Sequence, residues 1–96
     1  MDVVLLGPAE SELAEAIDWY SAQSPGLEKQ FVNEVEAAGE TISLHPNAWP
    51  ELGDGRGRYR LSRFPYGLVY ALCDAKVIVV AVAHLHRKPD HWRHRL

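Results

Sequence analysis

The apolar positions of this chain change period along its length. Val3-Val4-Leu5-Leu6 is a short β-rich run, so residues 2–6 are expected to form a strand that Gly7-Pro8 ends. Leu13, Ile17 and Tyr20 then recur three to four apart, with Ala14 and Ala16 beside them. Glu12, Glu15 and Asp18 take the other side, which makes an amphipathic helix of about four turns. Pro8 suits its first position, where a missing N–H costs nothing, and Glu10 meets the helix dipole favourably. Ser24-Pro25-Gly26 interrupts the pattern, with Ser24 as N-cap and Pro25 as first residue of a second helix. Leu27, Phe31, Val35, Ala38 and Ile42 form its stripe, and His45-Pro46 ends it. Helices joined by so short a break pack as an antiparallel hairpin.

After residue 46 the period becomes two. Residues 46–57 hold two prolines and three glycines and read as a loop. In residues 58–62, Tyr59 and Leu61 alternate with Arg58, Arg60 and Ser62. Phe64-Pro65-Tyr66-Gly67 bends the chain, and residues 67–73 read as a strand. Asp74-Ala75 is a tight turn, and residues 76–85 form the most apolar and most central strand. The order β-α-α-β-β-β with hairpin-length final links predicts an α+β domain: a helical hairpin packed on one face of a mainly antiparallel sheet. Arg58 and Arg60 go to the other face. Residues 1–96 make a single small domain, with 84–96 as a basic C-terminal tail.

Charge sharpens this layering. The net charge of −3 averages two unlike halves. Residues 1–55 hold eleven acids and one base, a net −10; residues 56–96 hold nine bases and two acids, a net +7. The helical layer is therefore acidic, and the sheet and tail basic, which suits different partners on the two sides. A single cysteine, Cys73, excludes an internal disulfide framework and fits a reducing compartment. The longest wholly apolar run, residues 77–83, is far short of the roughly 20 residues that span a bilayer, so a cytoplasmic protein with no membrane partner is expected.

Candidate chemistry concentrates in the tail. His84 and His86, two apart on a strand, can face one ion, but no Cys pair or carboxylate cluster supplies further ligands, so no metal and no cofactor is expected. Metal-independent RNA cleavage fits better. It needs a base for the 2′-hydroxyl, an acid for the leaving oxygen, and cations on the phosphate. Histidine suits the proton tasks and arginine the phosphate. Arg60, His84, Arg87 and His91 are the catalytic candidates, and Arg58, Arg63, Trp92 and Arg95 the candidates for partner or nucleic-acid binding. A basic sheet face equally fits an acidic protein. Trp19, Tyr20, Phe31 and Tyr70 read as core, Cys73 as a small hydrophobe, and Trp92 as either a lid on the core or a partner anchor.

Ala14 to Trp19-Tyr20, Pro25-Gly26, Phe31, His45-Pro46, Trp49-Pro50, Arg60-Leu61 and the run from Phe64 to Tyr70 come in an order and spacing that resembles the RelE/ParE toxins of type II toxin–antitoxin systems, the plasmid stabilisation proteins. The close from Val82 to Trp92, with Arg95 after it, is similar to the family's V-x-H-x-x-R-x-P-x-Y-W-x-x-R ending. The resemblance implies the β-α-α-β-β-β fold and a cognate antitoxin as partner; the expected assembly is a homodimer or a toxin–antitoxin hetero-oligomer. It implies one of two activities: ParE-like inhibition of DNA gyrase, or RelE-like cleavage of mRNA on the ribosome by an mRNA interferase. Arg60 and Arg87 match basic positions of the cleaving branch, but His91 stands where the family often has tyrosine. The alternatives are a chain that binds an antitoxin without toxicity, and a metal-binding hydrolase.

Overall fold

The computed structural model describes residues 1–49, 52, 55–86 and 91–95. Strand β1 (Asp2–Leu5) leads into helices α1 (Gly7–Gln23) and α2 (Leu27–Leu44), then strands β2 (Arg56–Arg60), β3 (Tyr66–Cys73) and β4 (Lys76–His84), and a 3₁₀ turn at Arg93–Arg95. The sheet order is β1-β4-β3-β2. The last three strands form the expected meander, and β1 joins β4 in parallel, which the two intervening helices make possible.

One helix start differs from expectation. Ser24 closes α1, its N–H donating to the Tyr20 carbonyl, and Gly26 is the N-cap of α2 at φ 97°. That left-handed conformation is open to glycine, and it puts the Gly26 N–H on Glu28 Oε1 at 2.7 Å. A carboxylate from inside the helix thus caps the residue in front of it. At the other end of the sheet, Asp74 and Ala75 both take positive φ (50° and 61°), the geometry of a two-residue hairpin whose twist matches its strands.

Pairing sorts the sheet's side chains by face. Leu68, Tyr70, Val77, Val79 and Val82 join Phe31, Ala38 and Ile42 in the core beneath the helices. Tyr20, Phe31, Phe64 and Tyr66 form an aromatic cluster with centroids 4.9 to 6.2 Å apart, tying both helices to the bend before β3. On the far face, Val69, Val80, Ala81 and Ala83 form a second core under Trp92, which is 2% exposed. A bulge opposite Val69 and Tyr70 makes Val80 the extra residue of β4, so Val80 and Ala81 both reach this second core. Trp92 is thus a lid on the core. Trp19, expected to be core, is instead 59% exposed. It lies about 100° around the helix from Tyr20, beyond the edge of the apolar stripe. Cys73 is likewise exposed.

Candidate functional site

The open face carries a row of cations. Arg56, Arg58 and Arg60 lie opposite Ala71, Val69 and Gly67, whose side of the sheet is the one away from the helices. Arg56 and Arg58 are half-buried and Arg60 is exposed. Arg63 follows in the bend, where its exposed guanidinium lies 3.6 Å from Glu34. Arg87 lies outside the described residues.

The histidines lie elsewhere. His84 pairs with Tyr66, so its ring stands on the helix side, 5.1 Å from the Tyr66 ring. The sheet therefore separates it from Arg60. His84 Nδ1 accepts the His86 backbone N–H at 3.1 Å, which puts the proton of the neutral ring on Nε2. The His84 and His86 rings are 5.5 Å apart, and among the described residues no group of three His, Cys, Asp or Glu can hold one ion.

His91 and Arg95 meet on Glu12, a residue the helical pattern assigns to a solvated side. Glu12 Oε2 accepts from His91 Nε2 at 2.9 Å and from Arg95 Nη2 at 3.2 Å. Glu12 Oε1 accepts from Arg95 Nη1 at 2.9 Å and from the Val82 N–H at 3.0 Å, and Arg95 Nη1 also donates to the Val80 carbonyl at 3.0 Å. The reason lies in the sheet. β1 ends at Leu5 opposite Val79, and among the described residues no strand flanks β4 on that side beyond it. Backbone groups left without a ladder must find side chains or water. A carboxylate from α1 and a guanidinium from the tail supply them. Burial pushes the Glu12 carboxyl upward, but hydrogen bonds from Arg95, His91 and Val82, with the Arg95 charge, outweigh it and hold it below the ordinary value. The signal in the sequence is placement. Glu12 is three residues from buried Ala9 and four from buried Ala16, on the shoulder of the stripe.

Glu12 and His91 border a cleft of about 370 Å³ between α1 and the ends of β3 and β4. Glu12, Glu15 and Trp19 form one wall, Tyr66, His84 and His91 the other, and buried Ala16 lies between them. Of the catalytic candidates, His84 and His91 thus come together, Arg60 does not join them, and two carboxylates do. Of the binding candidates, Arg58 lies on the open face, while Trp92 and Arg95 are engaged in holding the tail down.

The ParE toxin family model, describing the ParE toxin of the type II toxin–antitoxin system parDE, matches residues 3–89. This chain belongs to that family. A solved chromosomal ParDE toxin–antitoxin system from P. aeruginosa contains a chain of similar fold, at 14% identity and a TM-score of 0.78, covering 90% of this chain and 97% of that one. No curated protein matches. Of the residues that carry the resemblance, Phe31, Phe64, Tyr66 and Tyr70 are all core. Among the described residues, no helix of this ParE-family chain is long and apolar enough to cross a membrane.

Proposed function

We propose that the protein is a toxin restrained by a cognate antitoxin, and that it acts in the ParE manner, by binding DNA gyrase through the open sheet face rather than by cutting RNA. The separation of Arg60 from His84 by the sheet carries this reading. Cleavage by the residues expected from the sequence needs His84 and Arg60 on the same phosphate, and Arg95, the guanidinium that does lie beside His91, is bound to Glu12 and to the Val80 carbonyl. The imidazoles here border a cleft with Glu12 and Glu15, which repels phosphate. The arginine row of β2 is left as a surface for an acidic protein segment. Supercoiling by purified gyrase, with this protein added, tests it. Inhibition that falls at least about tenfold in Arg58→Glu/Arg60→Glu supports the reading, each lost charged contact being worth about 1.4 kcal/mol or more. Full inhibition by that variant would overturn the surface, and no inhibition by either would overturn the target.

A second reading rests on the Glu12–His91 pair. A carboxylate on one imidazole nitrogen fixes the ring's orientation and tautomer, as in a carboxylate–imidazole base. New mRNA ends on ribosomes after induction, lost in His91→Ala, would favour cleavage.

A further inference from the structure

Among the described residues, the cleft has an unused half. Glu12 is occupied by Arg95, His91 and Val82, but Glu15 makes no hydrogen bond or ion pair with the described residues. Trp19 stands one helical turn further on, more than half exposed beside it. Trp19 is by residue type the largest apolar side chain on the surface, and tryptophan is left exposed at a cost that partner contacts commonly repay. An acid and an indole at i and i+4 form two jaws, one offering a charge and the other a π-face. Tyr66 and Pro65 close the opposite wall, and Ala16 keeps the floor deep.

We infer that this cleft is a socket for a basic side chain, an arginine, from a protein partner. A guanidinium is planar and weakly hydrated, so it stacks on an indole while donating to a carboxylate. Charge selects it: Glu15 lies on the acidic layer, where the first 55 residues carry a net −10, so an anionic occupant is repelled and a neutral one gains no ion pair. The socket lies on the helix side, away from the arginine row, so it is a separate surface of opposite sign. It stands apart from the choice of toxin target.

The probe is the blocked tripeptide acetyl-Gly-Arg-Gly-amide, with citrulline for arginine as a neutral isostere. Indole N–H resonances of Trp19, Trp49 and Trp92 are followed by NMR at pH 8, where unperturbed imidazole is largely neutral. The expected result is a saturable shift of the Trp19 indole, with Trp92 unmoved and affinity about tenfold or more above the citrulline peptide. Glu15→Gln lowers the affinity toward that of the isostere, and Trp19→Ala leaves no saturable shift on the backbone amides around Ala16. Trp92 resonances at their native positions show that both variants are folded. Equal binding of the citrulline peptide, or saturable shifts elsewhere, would overturn the socket. A concentration-dependent dimer that Trp19→Ala dissociates would overturn the partner assignment, because the occupant would then be a second copy of this chain.

Discussion

Two glutamates, one on each helix, reach across to the β-strands or the bend between them, and they do different work there. Glu34 on α2 accepts from the Ser62 N–H and from Ser62 Oγ at 2.9 Å, with the Arg63 N–H at 3.3 and 3.4 Å. It caps a bend whose backbone would otherwise turn to water, and its cation, Arg63, is 62% exposed. Glu12 on α1 serves the edge of a buried strand, and its guanidinium partner is only 14% exposed. One is a clasp at the rim, and the other closes a gap in the core's wall. The same residue type costs different amounts to lose because solvent can replace one set of partners and not the other.

The largest effect is expected at Glu12. Glutamine keeps one oxygen for the Val82 N–H and Arg95 Nη1, but it loses the negative charge and sets its NH2 against Arg95 Nη2. Glu12→Gln should lower unfolding free energy by about 2–3 kcal/mol, since a partly buried charge loses its partner. Urea unfolding measures it. Arg95→Met should cost less, and the double variant less than the sum, with a coupling of about 1–2 kcal/mol. Additive costs would mean that the two groups act separately and that the tail is held by Trp92 alone.

Acid sharpens the contrast. Both carboxyls lie below their ordinary value: burial raises each, and hydrogen bonds, from Arg95, His91 and Val82 to Glu12 and from Ser62 and Arg63 to Glu34, lower each by more. A carboxyl with a depressed folded value contributes stability that is complete above its unfolded value, near 4.3, and is lost as pH falls through the folded value. Stability should therefore drop between about pH 5 and 3, and drop less steeply in Glu12→Gln, which has no proton to take up there. Urea midpoints at pH 5, 4 and 3 check this. Parallel pH dependence in the two proteins would show that Glu12 titrates alike folded and unfolded.

Much of this was legible from periodicity. Burial of Phe31, Ala38 and Ile42 on α2, and of Val77 and Val79 to Ala83 on β4, follows from stripes and runs that local spacing displays. Arg58 and Arg60 fall on the open face because strand alternation fixes it once Tyr59 is inside. What stayed hidden depends on residues far apart in sequence. Glu12 reads as a solvated acid until β1 is seen to stop at Leu5 and the tail to return across β4, 83 residues later. Trp19 reads as core because tryptophan usually is, although the stripe passes through Tyr20. The histidines read as one cationic face, yet strand parity puts His84 with Tyr66 on the helix side and Arg60 on the other.

The smallest effect belongs to Glu34. In Glu34→Gln the remaining oxygen still accepts from the Ser62 N–H, and the exposed Arg63 loses an ion pair worth little in water. The cost should be about 1 kcal/mol or less. Salt separates the two glutamates further. In 1 M sodium chloride, where charges are screened within about 3 Å, the part of the Glu34→Gln cost owed to Arg63 should vanish. The Glu12→Gln cost should hardly move, because Glu12 and Arg95 are largely shielded from ions and joined by two hydrogen bonds, of 2.9 and 3.2 Å. Unfolding of both variants in low and high salt measures this. If the Glu12 cost fell with salt as the Glu34 cost does, the tail would be a surface contact, and the closed edge of β4 would have to owe its stability to Trp92.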